Sequence, residues 1–205
     1  MHLVVGLGNP GKRYALTRHN AGFTAVDTLS SRTGADCSRS QFGALVDRTD
    51  VSSNPVVLAK PQSFMNRSGQ PVASLKGYYK VDAEQVVVVH DELDLPFGTV
   101  KVKLGGGHGG HNGLRDIMKH FSGKDFVRVR IGVSRPPPGW DVANYVLAPW
   151  SGDEQDQLED VMRRAADAVE IIVSDGAKSA MNQINQRRTV TSEASSANSD
   201  VGSLT

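Results

Sequence analysis

Val86-Val87-Val88-Val89 is an unbroken run of β-branched apolar residues, and His90-Asp91-Glu92 follow it at once. A strand sends successive side chains to opposite faces. Four valines in a row therefore need apolar cover on both faces, as in a central strand of an α/β sheet. A ligand site in such a sheet forms beyond the carboxyl ends of the strands. This one segment thus sets an expected architecture and points to where the chemistry sits.

The remaining signals agree with that architecture. Residues 2–5 read as a short buried strand ending at Gly6, residues 55–59 as a second, and residues 127–134 as another, halted by Pro136-Pro137-Pro138-Gly139. Residues 99–104 alternate valine and lysine, a strand with one wet face. Helical spacing covers residues 20–31, 68–79 and 114–121. Ser151 and Glu154 have capping-box form ahead of a long amphipathic helix that Gly176 ends, and a short helix follows to about Gln186. The expected fold is α/β, a single domain with a twisted mixed, mostly parallel sheet flanked by helices. Residues 1–188 form that domain. Residues 189–205 are Ser-rich, lack aromatics and read as a flexible tail.

Composition narrows the function classes. No apolar stretch approaches the roughly 18 residues that span a bilayer. The start lacks the basic-then-apolar pattern of a secretory signal. Cys37 is the single cysteine, which excludes an intrachain disulfide and a multi-cysteine zinc site. A cytoplasmic location is expected. The net charge of +1 hides a basic segment. Between Lys101 and Arg135, eight Lys/Arg (Lys101, Lys103, Arg115, Lys119, Lys124, Arg128, Arg130, Arg135) face only Asp116 and Asp125, so the segment carries 8 − 2 = +6. Such a region suits a polyanion.

Gly6-Leu7-Gly8-Asn9-Pro10-Gly11 matches the dinucleotide pattern G-x-G-x-x-G. In a dinucleotide site the turn runs straight into a helix that holds the pyrophosphate. Here the convincing helix begins later, and Asp27, near the distance expected for the ribose-binding acid, lies within a helical run. A tight turn at a strand end accounts for the glycines but leaves Asn9 unexplained. Other strand ends deliver Asn66, Asp91 and the loop Gly105-Gly106-Gly107-His108-Gly109-Gly110-His111-Asn112-Gly113, while His19 lies between the first strand and first helix.

Four segments, GLGNPGKRYALTRHNAGF, KPQSFMNRSG, HDELDLPFG and KLGGGHGGHNGLRD, resemble the bacterial peptidyl-tRNA hydrolase family in order and spacing, over roughly residues 1–186. The resemblance implies hydrolysis of the ester that joins a peptide to the 2′/3′ hydroxyl of the terminal adenosine of tRNA, freeing tRNA stranded by abortive translation. It implies that His19 is the general base and Asp91 its support. It also implies that Asn9, Asn66 and Asn112 bind the peptide–ester end, and that Tyr14 and Phe64 line the same groove. No cofactor or metal is implied, the partner is peptidyl-tRNA, and a monomer is expected.

The chemistry is consistent with that assignment. A neutral imidazole is a suitable base near neutral pH, and a carboxylate on its other nitrogen fixes the tautomer. No G-x-S-x-G elbow is present, which favours direct attack by water. Asparagine amides can donate to an oxyanion, with Asn112 the leading donor. Bland readings stand beside these: a helix cap for Asn112, a turn residue for Asn66, a strand-end turn for Asp91 and an ordinary surface histidine for His19. The glycine run reads as a lid over the ester or as a wide turn. Lys101, Lys103 and Arg130 are expected to touch tRNA phosphates, which predicts salt-dependent binding. Two other functions remain open: a non-catalytic tRNA-binding module, and a metal-dependent hydrolase using His90, Asp91, His108 and His111.

Overall fold

The computed structural model describes residues 1–186. The stretch 189–205, expected to be a flexible tail, lies outside the described residues. One seven-stranded sheet organises the chain, in the order β2-β3-β4-β1-β5-β7-β6. The strands are β1 (His2–Gly6), β2 (Arg39–Gln41), β3 (Ala44–Val51), β4 (Asn54–Pro61), β5 (Val86–Glu92), β6 (Val100–Leu104) and β7 (Val127–Gly132). The central strands β4, β1, β5 and β7 run parallel. Both margins are antiparallel, β2-β3-β4 on one side and β6-β7 on the other. The sheet is therefore the expected mixed type with a parallel core.

The valine run does what its composition requires. Val86 and Val88 pack into the core under α2 (Gly69–Tyr79) and α3 (Asn112–Phe121). Val87 and Val89 pack into the opposite core, beneath α1 (Ala21–Thr33), α5 (Gly152–Asp175) and α6 (Ala177–Asn185). Leu3 and Val5 of β1 join the first core and Val4 the second. Alternation within an all-apolar strand thus serves two cores at once. At the start of α5, the expected capping box is complete between Ser151 and Glu154.

Gly6 and Gly8 serve close packing rather than turn conformation. A Cβ on Gly6 would lie 2.2 Å from the carbonyl oxygen of Gly22, and one on Gly8 would lie 2.6 Å from the Phe23 ring. Within the motif, Gly11 alone takes a positive φ, 103°. The tight-turn reading therefore holds only at Gly11, because α1 crosses the end of β1 with no room for side chains. Gly22 completes the contact, since a Cβ there would lie 2.3 Å from the Val89 carbonyl and 2.4 Å from the Leu7 amide. Both are backbone groups that cannot swing aside. Gly22→Ala is expected to destabilise the protein by about 3 kcal/mol and to lower Tm by about 6–12 °C in a domain of this size. Calorimetry checks this, and an unchanged Tm would show that α1 and β1 separate at little cost.

Candidate active site

A cleft of about 640 Å³ opens beyond the carboxyl ends of the parallel strands, and Asn9, His19, Phe64, Asn66, Asp91 and Asn112 all line it. Strand order explains the gathering. The loops after β1 and β4 bring Asn9, Phe64 and Asn66 to one side, and β5 places Asp91 at its own end. His19 sits in a 3-10 turn, Arg18–Asn20, immediately before α1. Asn112 opens α3.

His19 and Asp91 form the expected dyad. Nδ1 of His19 lies 3.0 Å from both carboxylate oxygens of Asp91. The proton on Nδ1 faces the carboxylate, so the lone pair sits on Nε2, which has no hydrogen-bond partner among the described residues and is not sealed from solvent. Burial pulls the imidazole pKa down, but the charge and hydrogen bond of Asp91 outweigh it and leave the pKa raised above 6.5. Burial pushes the Asp91 carboxyl up, yet His19 and His111 together hold it well below the usual carboxylate range. The carboxylate is therefore ionised wherever His19 titrates.

A second histidine shares the carboxylate, which sequence reasoning missed. His111 Nε2 lies 3.0 Å from Asp91 Oδ1. Its Nδ1 accepts from the Leu114 amide at 3.4 Å, which caps α3. With Nδ1 accepting, the proton of His111 must lie on Nε2, facing Asp91. The helix cap, the bland alternative for Asn112, therefore belongs to His111. His90 lies beneath, its ring 5.0 Å from that of His111. Its Nδ1 donates to the Asp91 carbonyl, and burial, aided by His111, pushes its pKa down to about 3. His90 is thus a neutral, buried support. The metal set suggested by sequence does not assemble: the Nε2 of His90 is sealed, and the Nδ1 of His108 accepts from the Gly110 amide. Among the described residues, the grouped donors are instead His19, Asp91 and His111, within 4.8 Å of one another.

The asparagines present donors. Asn9 is buried, and its Oδ1 accepts from the Met65 amide at 2.8 Å. Its backbone is held by the Asn20 side chain, whose Oδ1 accepts from the Asn9 amide while its Nδ2 donates to the Asn9 carbonyl. Among the described residues nothing engages the Nδ2 of Asn9, which is left for a ligand. Asn112 Oδ1 accepts from Arg115 Nη1 at 3.0 Å, which likewise leaves Nδ2 free. Asn66 is exposed, and no side chain among the described residues fixes its amide.

Other expected residues stand apart. Tyr14 does not line the cleft; it meets the rim through Phe64, ring centroids 6.5 Å apart at 87°. Lys101, Lys103 and Arg130 lie outside it on the β6–β7 ladder, where Lys101 pairs with Arg130 and Lys103 with Arg128. Arg130 is engaged by Glu92 at 3.0 Å. Arg128, counted above with the basic segment, is only 3% exposed. It donates to the carbonyls of Gly106 and Gly107 and so pins the first half of the glycine loop. A lid spanning the whole run would have to release that anchor.

Arg18, beside His19, was also missed. It donates to the Pro149 carbonyl at 2.8 Å and to Glu154 Oε2 at 2.5 Å, and its guanidinium lies 4.5 Å from the Tyr145 ring centroid. These contacts fix the turn carrying His19 against α4 (Val142–Val146) and the start of α5.

Comparison with known proteins decides what this arrangement belongs to. The family model described as peptidyl-tRNA hydrolase matches residues 3–193. The chain belongs to the peptidyl-tRNA hydrolase family. A Rhodococcus erythropolis protein named peptidyl-tRNA hydrolase is 47% identical over 184 residues, covering 89% of this chain and 97% of the relative. A Frankia casuarinae protein of the same name is 48% identical over 181 residues, covering 88% and 92%. The crystal structure of peptidyl-tRNA hydrolase from Acinetobacter baumannii superposes with a TM-score of 0.87 at 40% identity, over 92% of this chain and 96% of that one. Membership in the peptidyl-tRNA hydrolase family spans the sheet and every element that contributes to the cleft.

Proposed function

We propose that the chain hydrolyses the ester bond of peptidyl-tRNA, releasing peptide and free tRNA for reuse after abortive translation. The observation that carries this reading is the open Nε2 of His19, backed by Asp91, in a cleft that also presents asparagine donors. Water bound at Nε2 gives up a proton as its oxygen attacks the ester carbonyl. Asn112 Nδ2, with Asn66 lining the same cleft, donates to the resulting oxyanion. The tetrahedral intermediate collapses by breaking the bond to the ribose oxygen, and the imidazolium returns its proton to that oxygen. Asp91 stays ionised throughout, while His111 holds both Asp91 and the first turn of α3.

Phe64 flanks the entering substrate, with Tyr14 supporting it from the rim. Lys101, Lys103 and Arg130 receive tRNA phosphates beside the cleft; Lys103 is exposed, and the other two are partly so. Every residue that lines the cleft comes from one chain, so the proposed chemistry needs no second copy. No helix among the described residues is long and apolar enough to cross a membrane, which is compatible with work in the cytoplasm. Incubation with N-acetyl-leucyl-tRNA tests the activity: free tRNA and N-acetylleucine are expected. A protein that binds the substrate without cleaving it would be a tRNA-binding module. A metal-dependent second reading needs an ion to replace the two protons that His19 Nδ1 and His111 Nε2 direct at Asp91, and loss of activity on adding a transition-metal chelator would favour it.

Asn9 discriminates peptidyl from aminoacyl esters in this scheme. Its free Nδ2 can donate to the carbonyl of an acylated amino group, whereas a free aminoacyl ester offers an ammonium with no acceptor. Asn9→Asp keeps an oxygen for the Met65 amide and removes the donor. The ratio of kcat/KM for N-acetyl-leucyl-tRNA over leucyl-tRNA is expected to fall about 10–100-fold, the range for losing one buried hydrogen bond. An unchanged ratio would remove Asn9 from substrate selection.

A further inference from the structure

The two walls of the cleft come from different elements. One carries Asn9, Phe64, Met65 and Asn66, from the loops after β1 and β4. The other carries Leu93, which follows β5, and Val142, Val146 and Leu147, which follow β7, with Glu92, Arg135 and Asp141 among them. The order β4-β1-β5-β7 sets these walls on opposite sides. Val142 is 42% exposed and Leu147 37% exposed. A single exposed apolar residue needs no explanation, but a group of them lining a cleft beside a base does.

This wall is also held from behind. The Tyr145 hydroxyl donates to the Val133 carbonyl at 2.6 Å, and the Asp141 carboxylate caps α4 through the Asn144 amide at 2.9 Å. Arg18 ties the same segment to the turn bearing His19. The apolar surface is thus presented at a fixed distance from the reacting centre.

Substrate stereochemistry then assigns its occupant. The carbon next to the scissile carbonyl bears two diverging groups, the acylated nitrogen and the amino-acid side chain. Asn9 takes the acyl group on its own wall, so the side chain faces the opposite one. We propose that Leu93, Val142, Val146 and Leu147 form a subsite for the side chain of the peptide's C-terminal residue, and that it favours apolar side chains. Asp141 and Glu92 line the same cleft and add repulsion against acidic ones, while the Arg135 there is paired with Asp94. The inference rests on the ester-hydrolase reading above.

The test compares kcat/KM for N-acetyl-leucyl-, N-acetylglycyl- and N-acetylaspartyl-tRNA. The wild-type protein should cleave the leucyl substrate about 10-fold better than the aspartyl one, the scale of discrimination a small apolar pocket supplies. Val142→Lys should reverse that preference, a gain that unfolding cannot produce. Leu147→Ser should lower the leucyl-to-glycyl ratio. Equal wild-type rates would overturn the subsite alone. A uniform drop for all substrates in both variants would also overturn it, because the wall would then hold a part common to all, such as the adenosine. Failure of the wild-type protein to cleave any substrate would overturn the hydrolase reading and the subsite together.

Discussion

Replacing His19 with alanine will lower turnover of N-acetyl-leucyl-tRNA by about 10³–10⁴-fold, near the upper range for removing a general base. Affinity for tRNA will change little. The reason lies in the separation of parts: His19 lines the cleft, while Lys101, Lys103 and Arg130 lie on the β6–β7 ladder outside it. Asp91 keeps a partner in the variant, since His111 Nε2 is 3.0 Å away, so the carboxylate is not stranded and the fold should persist. Single-turnover cleavage, filter binding of deacylated tRNA and Tm measure the three quantities separately. Cleavage within 10-fold of wild type would remove His19 from the chemistry, and loss of tRNA binding in a folded variant would reassign it to substrate capture.

Asp91→Asn will be nearly as severe, about 10³-fold in kcat with KM little changed, because it reverses a tautomer. The carboxylate now accepts N–H from two rings, His19 Nδ1 and His111 Nε2. An amide with its oxygen at the Oδ1 place can still accept from both rings, but its NH2 then stands at the Oδ2 place, 3.0 Å from His19 Nδ1, where it calls for a lone pair instead of a proton. His111 resists, because its Nδ1 already accepts from the Leu114 amide. His19 therefore yields: its proton moves to Nε2, and the base is lost. Nitrogen-15 NMR of the imidazoles reads this directly as a proton on His19 Nε2. A variant that keeps kcat within 10-fold, or keeps the proton on Nδ1, would show that Asp91 only fills space.

What was legible in sequence follows from the physics of each feature. The buried central strands are local and strongly patterned, so β1, β4, β5 and β7 could be read, and with them the strand ends that hold Asn9, Asn66 and Asp91. Strands β2 and β3 could not. Residues 39–51 mix charged and apolar side chains at a sheet margin, and their pairing, Ala44 with Pro61 through Val51 with Asn54, is a tertiary fact. Helix α4 has five residues and acquires its apolar wall only by docking beside His19. Arg18 and Arg128 look like surface cations in sequence, yet backbone carbonyls bury both. His111 was visible as a histidine but not as the second partner of Asp91, because that contact joins the end of a strand to the start of a distant helix.

The central claim is that a neutral His19, held by an ionised Asp91, activates water for ester cleavage. The most direct test is the pH dependence of kcat/KM for N-acetyl-leucyl-tRNA, which reports the free enzyme. Only the neutral imidazole can take a proton, and its pKa is raised above 6.5. The rate should therefore climb about 10-fold per pH unit at low pH, bend at a midpoint above 6.5, and level off beyond it. A rate that is constant from about pH 5 to 8, or that falls as His19 loses its proton, would contradict the account.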